Sequence, residues 1–191
     1  MKIYLLDNNE KVTKIWNLYF RDIQDVIVVC DDFKHFMDST NVECVVSPAN
    51  SYGLMDGGYD RAISEWFGWD LMEKVQKYII ENYWGEQPVG KSFIMDTGKR
   101  GIKLIHTPTM RIPSAIREPL VVYQCMRTCL MTALENSVNS IVIPAFGGFT
   151  GSVDPQTVCE MMWRGYDQIM NPPKEISWEY ATRWEPERER A

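Results

Sequence analysis

Short apolar runs rich in valine and isoleucine alternate with longer segments of helical periodicity along most of the chain. The short runs predict strands at 3–6, 26–30, 42–47, 92–95, 103–107 and 140–144. The longer segments predict helices at about 10–20, 33–38, 59–67, 69–83, 118–136 and 154–169. This alternation predicts an α/β sandwich. The segments SFIMD and KLIHT are separated only by TGKRG, which predicts an antiparallel hairpin and therefore a mixed sheet.

Length and composition favour one domain. With 191 residues, 45% of them apolar, the chain has material for one core, and we interpret residues 1–172 as a single domain followed by a partly disordered tail at 173–191. No apolar run is long enough to cross a membrane, no signal peptide pattern is present, and the five cysteines have no metal-ligand spacing. We therefore expect a cytoplasmic protein without a membrane partner. The net charge of −6 argues against binding of a nucleic acid polymer.

Two glycine loops each follow a predicted strand and precede a predicted helix. The first, VVSPANSYGLMDGGYDRAI, carries Asn50 and Asp60 on either side of Gly57-Gly58, and the second is IVIPAFGGFTGSVDP. Successive backbone N–H groups in the second loop, with a helix N-terminus behind them, suit a phosphate. A tight turn without a ligand is the alternative. Loops that leave the carboxyl ends of neighbouring strands form opposite walls of one crevice.

The polar side chains of the first loop suit a sugar and a proton transfer. Asn50 has a donor and an acceptor for ribose hydroxyls, and Asp60 can accept a proton. The alternatives are an Asx-turn for Asn50 and a carboxylate favoured by the helix dipole for Asp60.

These paired motifs resemble those of the macro domain family, whose members bind ADP-ribose and related nucleotides. The first loop is similar to the family's strand, N-A-A-N, glycine run and acidic residue, and the second to its phosphate loop, P-A-x-G-T-G-x-G. The resemblance extends from about residue 26 to 170. It implies a three-layer α/β/α sandwich with a mixed, mostly parallel sheet of about six strands.

The resemblance also implies site residues. Asn50 matches the amide at the distal ribose, and Asp60 matches the acidic residue that positions or activates water in hydrolytic members. Asp32, followed by Phe33, matches the aspartate that receives the adenine amino group, with Asp31 as the alternative; an exposed helix cap is the other interpretation of either aspartate. No metal or cofactor is implied. The implied ligand-binding residues are Asp32, Phe33, Ala49, Asn50, Gly57, Gly58, Pro144, Ala145, Phe146, Gly147, Gly148, Phe149, Thr150 and Gly151.

The chain departs from the family pattern at several positions. Ser47 replaces the first amide, Met55 and Asp56 replace glycines, and Phe149 stands at another usual glycine. After the last helix, only EISWEY is available to close the sheet. An aromatic ring at Phe149 would either stack on a sugar or narrow the groove.

Three functions follow from these residues. The first is hydrolysis of a group at the distal ribose of ADP-ribose, either a 1″-phosphate or an ADP-ribosyl or acetyl ester. The second is a non-catalytic reader of ADP-ribose, free or attached to an ADP-ribosylated protein. The third is a partner-binding protein whose groove Phe149 blocks. His106 is interpreted as a structural histidine, and Arg111 and Arg117 as surface charges or phosphate contacts.

Overall fold

The computed structural model describes residues 1–184. All six predicted strands and all six predicted helices are present, with ends that differ by only a few residues from the expected ones. The elements are β1 (Lys2–Asp7), α1 (Glu10–Phe20), β2 (Val26–Cys30), α2 (Phe33–Ser39), β3 (Cys44–Ser47), α3 (Gly58–Phe67), α4 (Asp70–Tyr83), β4 (Phe93–Asp96), β5 (Lys103–His106), α5 (Leu120–Glu135), β6 (Ser140–Pro144), α6 (Pro155–Met170) and α7 (Trp178–Ala181).

The sheet has six strands in the order β2-β1-β6-β3-β5-β4. All neighbouring pairs are parallel except β4 with β5, which form the predicted antiparallel hairpin. Apolar residues of α1, α5 and α6 form a core on one face of the sheet, and those of α2, α3 and α4 form a core on the other. The predicted three-layer α/β/α sandwich with a mixed, mostly parallel sheet is therefore confirmed.

The first strand of the chain occupies an interior position in the sheet. Strand β1 pairs with β2 through Ile3 and Val26 and with β6 through Lys2 and Ser140. The segment EISWEY adds no strand, because its residues from Trp178 onward form the short helix α7. In the described part of the chain, β1 is therefore an interior strand and no strand follows α6.

The predicted tail at 173–191 is described as far as residue 184, and residues 185–191 lie outside the described residues. Trp184 packs edge-to-face on Tyr123, with ring centroids 5.6 Å apart, and the guanidinium of Arg164 lies over its ring. Trp178, by contrast, is exposed. No helix within residues 1–184 has the length and apolar content needed to cross a membrane.

Five strands of the sheet run in parallel, so their carboxyl ends lie along one edge. The loops that follow β1, β2, β3 and β6 all leave from this edge. In open α/β sheets, ligands bind in the crevice beyond such an edge. The topology therefore brings both glycine loops, which are distant in the sequence, to the same end of the molecule.

Candidate functional site

A cleft of about 740 Å³ lies at the carboxyl edge of the sheet. The first glycine loop lines one part of the cleft and the second glycine loop lines another, and Asp60 is also among the lining residues. Residues after β1 and β2 complete the wall. The sequence-predicted residues found in the lining are Asp32, Phe33, Ala49, Asn50, Gly57, Gly58, Asp60, Pro144, Ala145, Gly147, Gly148, Phe149, Thr150 and Gly151.

Phe146 is the one predicted ligand-binding residue whose side chain does not line the cleft. The ring is fully buried and belongs to the core between the sheet and helices α1, α5 and α6. After β6, Ala145 lines the cleft, whereas the next and much larger apolar side chain, that of Phe146, lies in the core. The assignment of Phe146 as a ligand-wall side chain is therefore corrected to a core position that anchors the loop.

Asp60 is a buried carboxyl, only 8% exposed, in the first turn of α3. The hydroxyl of Ser47, at the end of β3, donates a hydrogen bond to Asp60 Oδ1 over 2.6 Å. Burial raises the pKa of Asp60 from 3.8 to about 7, against the opposing effect of the Ser47 hydrogen bond. Ser47 thus holds a carboxyl that exchanges a proton near neutral pH.

The amide of Asn50 forms its hydrogen bonds within its own loop. Its Nδ2 donates to the carbonyl oxygen of Leu54 over 2.8 Å, and its Oδ1 accepts from the backbone N–H groups of Tyr52 and Leu54 over 3.1 and 3.3 Å. Asn50 also forms a β-bridge with Met110, so the loop is tied to the segment after β5. This geometry matches the Asx-turn alternative: Asn50 lines the cleft and shapes the loop with its amide.

The second glycine loop has positions that only glycine fits. Gly147 has φ +73°, and a Cβ atom there would lie 2.7 Å from Ile116 Cδ1. At Gly151, a Cβ would lie 2.6 Å from the carbonyl oxygen of Gly147. Gly148 is different, because its nearest side-chain neighbour would be Ala145 Cβ at an ordinary 3.5 Å. Gly147 and Gly151 are therefore needed for the turn itself, whereas Gly148 tolerates a side chain.

The backbone of the second loop, which lines the cleft, has N–H groups without a protein partner. Within residues 1–184, the N–H groups of residues 147 to 151 donate to no protein acceptor. The helix behind them, α6, is already capped, because the Asp154 carboxylate accepts from the N–H groups of Gln156 and Thr157. Helix α3 has no side-chain cap at Gly57. An anion in the cleft would therefore be met by loop 147–151 and the start of α3, and not by α6.

Phe149 lies at the mouth of the cleft. Its side chain is 85% exposed, and its Cδ1 atom would lie 3.8 Å from a Cβ atom at Gly58. The ring of the second loop thus approaches the first loop across the opening. Met55 is fully buried in the core beside α3 and α4, whereas Asp56 is exposed at the rim of the cleft. These two neighbouring residues of the first loop therefore have different environments.

The loop after β2 supplies another wall. Asp32 caps α2, where its Oδ1 accepts a hydrogen bond from His35 N over 2.9 Å. Asp31 pairs with His35 Nδ1 over 2.5 Å, and this contact raises the pKa of His35. Both aspartates line the cleft. Asp32 therefore has the helix-cap role that the sequence left open as an alternative, and its position at the wall also fits the predicted ligand contact.

Sequence reasoning missed the contribution of β1. Asp7, Asn8 and Asn9 line the cleft, and Asp7 Oδ1 accepts from Asn9 N over 2.8 Å. Burial raises the pKa of Asp7. An aspartate at the end of an apolar strand can be recognised in the sequence. Its place at the cleft, however, depends on β1 lying beside β6, which the sequence does not indicate. Tyr59, the second missed residue, stands between Gly58 and Asp60 in the first motif.

Three other candidates lie outside the cleft. His106 is fully buried, its Nδ1 is 2.6 Å from Gln87 Oε1, and burial lowers its pKa to about 3, so the ring is neutral and structural. Arg111 forms an ion pair with Glu86 over 2.7 Å. Arg117 lines a shallow groove beside the cleft. The described residues contain no group of three or more acidic, histidine or cysteine side chains placed to hold a metal.

Comparisons with known proteins agree with this architecture. Residues 46–162 match the family model of the macro domain. An uncharacterized protein of Aquifex aeolicus is 28% identical over 130 residues, which cover 68% of this chain and 75% of that protein. Another, from Aeropyrum pernix, is 30% identical over 119 residues, covering 61% of this chain and 59% of the relative.

Solved structures show the same fold at low identity. The Oceanobacillus iheyensis macrodomain with MES bound superposes with a TM-score of 0.61 at 20% identity, covering 69% of this chain and 71% of that one. The macrodomain of Mycobacterium tuberculosis DarG gives 0.59 at 20% identity, covering 69% and 85%. The Oceanobacillus iheyensis macrodomain with ADP gives 0.59 at 21% identity, covering 66% and 68%.

Proposed function

The chain belongs to the macro domain family, and we propose that its cleft binds ADP-ribose or a close derivative. The observation that carries the proposal is that both glycine loops line the same cleft, the first through residues that include Asn50, Gly57 and Gly58, and the second through residues 147–151. Backbone N–H groups from 147 to 151 would bind the diphosphate, and the first loop would hold the second ribose. In support, structures of the Oceanobacillus iheyensis macrodomain hold ADP and, in a glycine-to-valine variant, ADP-ribose.

The charge of the cleft supports recognition by backbone groups. The acidic residues of its lining include Asp7, Asp56 and Asp60. Within residues 1–184, Lys34 is the only basic residue of this lining. A dianionic ligand would be repelled by the carboxylates unless aimed N–H groups compensate. The glycine positions that keep loop 147–151 tightly turned are thus the feature on which affinity depends.

Calorimetric titration with ADP-ribose tests this binding. We expect micromolar affinity, about −8 kcal/mol. Gly148→Glu is the blocking variant, because Gly148 lines the cleft and has room for a Cβ atom, so a carboxylate enters the cleft without disturbing the turn. Leu18→Glu, on the exposed surface of α1, adds the same charge outside the cleft lining.

The expected result is loss of ADP-ribose binding in Gly148→Glu and unchanged binding in Leu18→Glu. Equal affinities in wild type and Gly148→Glu would place the ligand elsewhere. A folded wild-type protein without detectable affinity would refute the nucleotide-binding proposal and leave a partner-binding role.

We further propose that the protein hydrolyses a group at the distal ribose, either a 1″-phosphate or an ester. Asp60 would accept a proton from the attacking water and return it to the oxygen that leaves. Its burial and its pKa of about 7 support this role, because a base is most effective when its pKa lies near the working pH. Solved variants of the Oceanobacillus iheyensis macrodomain replace an asparagine, or an aspartate ten positions later, and Asn50 and Asp60 have the same spacing.

A reader without catalysis is the second candidate, and one observation favours it: the Asn50 amide is already bonded to Tyr52 and Leu54. Turnover of ADP-ribose 1″-phosphate and of a mono-ADP-ribosylated protein separates the two. A hydrolase should lose activity in Asp60→Asn, and its rate should rise with pH through about 7. If wild type and Asp60→Asn are equally inactive while both bind ADP-ribose, the reader function stands.

A further inference from the structure

Tyr59 has a buried hydroxyl with no partner in the protein. The residue lies in the first turn of α3 and lines the cleft. Within residues 1–184, no group forms a hydrogen bond with its Oη atom. A buried polar atom left without a partner is costly and uncommon in native structures. The hydroxyl therefore calls for a partner that enters the cleft.

The surroundings of the hydroxyl define what that partner must offer. Burial raises the pKa of Tyr59 well above its ordinary value, and the neighbouring carboxyls of Asp7 and Asp60 raise it further. The phenol is therefore a neutral donor at physiological pH. Because both neighbouring carboxyl groups are acceptors when ionised, Tyr59 supplies a donor in a region that otherwise repels electronegative ligand atoms.

The ring of Tyr59 is fixed by the wall that follows β2. It packs edge-to-face on Phe33, with ring centroids 5.2 Å apart, and Phe33 directly follows the cleft residue Asp32. An apolar ring pair beside a carboxylate suits a purine, which has flat faces and an exocyclic amino group. Tyr59 therefore lies on the same wall of the cleft as Asp32, the residue predicted to receive the adenine amino group.

We propose that the Tyr59 hydroxyl donates a hydrogen bond to the nucleoside end of the ligand, to a purine ring nitrogen or an oxygen of the adjoining ribose. This inference rests on the proposed binding of ADP-ribose and adds a residue that selects the ligand. The contact is made only in the complex. Tyr59 is thus distinct from Ser47 and Asn50, whose side chains already have partners in the protein.

The test is calorimetry of wild type and Tyr59→Phe with ADP-ribose and with ADP, which lacks the second ribose. Phenylalanine keeps the ring that packs on Phe33 and removes only the hydroxyl. We expect about a 3- to 10-fold loss of affinity for ADP-ribose and the same loss for ADP, since both contain the nucleoside. Tyr123→Phe is the matched control, because that hydroxyl lies 3.4 Å from Gln168 Oε1 and Tyr123 does not line the cleft.

Thermal unfolding without ligand separates recognition from a structural role. We expect Tyr59→Phe to unfold at the same temperature as wild type or higher, because the variant loses a buried hydroxyl that has no partner. Unchanged affinity for ADP-ribose in Tyr59→Phe would overturn the inference. So would a loss seen with ADP-ribose but not with ADP, since the contact would then be at the second ribose. Failure of wild type to bind either ligand would instead refute the proposed function, and the inference with it.

Discussion

Replacing Asp60 with asparagine should make the protein more stable at neutral pH. The side chain is buried, and its ionised form is disfavoured in the folded state, so the pKa rises from 3.8 to about 7. At about 1.4 kcal/mol per pH unit, this difference corresponds to about 4 kcal/mol of lost stability once the carboxyl is ionised in both states. Asparagine keeps an oxygen that accepts the hydrogen bond from Ser47 and carries no charge.

The sign of the effect follows from proton binding. Below about pH 4, Asp60 is protonated in both the folded and the unfolded state, so its ionisation does not change the unfolding free energy. Between pH 4 and 7, the unfolded state releases the proton while the folded state keeps it, so the unfolding free energy of wild type falls with pH. Above pH 7 the loss is complete. The advantage of Asp60→Asn should therefore grow from near zero at pH 4 to about 4 kcal/mol at pH 8.

Urea unfolding of both proteins at pH 4.5, 6, 7 and 8 measures this difference. With an m-value of about 2 kcal/mol/M, the midpoint of Asp60→Asn at pH 8 should lie about 2 M higher than that of wild type. The difference between the two proteins removes the contributions of Asp7 and the other carboxyls that both retain. Asp56→Asn, at an exposed position of the same cleft, should change stability by less than about 0.5 kcal/mol. Parallel stability curves for wild type and Asp60→Asn between pH 5 and 8 would refute the reasoning.

The remaining predictions concern the loops and the buried histidine. Gly147→Ala should destabilise the protein by about 2 kcal/mol or more in thermal unfolding, because φ is +73° and the added Cβ meets Ile116, whereas Gly57→Ala has open space and should cost under about 1 kcal/mol. Asn50→Ala should lower stability by about 2 kcal/mol and weaken ADP-ribose binding, because three hydrogen bonds that shape the loop are lost; unchanged binding would show that the loop keeps its shape without them. In wild type, the unfolding free energy should fall as pH decreases from 6.5 toward 3, because burial disfavours protonation of His106 in the folded state. His106→Gln should remove this fall, and curves of unfolding free energy against pH with the same slope in both proteins would contradict the prediction.

The fold could be predicted because its signals are local or come in pairs. Apolar strands such as SIVIP, a five-residue hairpin linker and capped helices each indicate their own structure, and the two glycine motifs indicate which loops meet. The place of β1 could not be predicted in this way, because the choice of neighbours for a parallel strand depends on contacts across the whole chain. Asp7 was missed for that reason.

Side-chain direction was the second limit. The position of Asn50 at the cleft was predicted, but whether its amide faces a ligand or its own loop depends on the backbone of residues 52–54. Phe146 and Tyr59 show the same limit in opposite senses. The first was expected at the ligand and lies in the core, whereas the second had no predicted role and lies in the cleft lining with a buried hydroxyl that has no partner within residues 1–184.

The strand order has a consequence for the assembly of the protein during synthesis. In the order β2-β1-β6-β3-β5-β4, strand β6 is the only connection between an early pair, β2-β1, and a later group, β3-β5-β4, and it is the last strand of the described chain to be made. Until residues 140–144 emerge, each part leaves an unpaired parallel edge that invites pairing with other chains. The contact between Lys2 and Ser140 also closes a very long loop, which slows folding. Because the second glycine loop directly follows β6, the cleft is completed only at the step that joins the sheet.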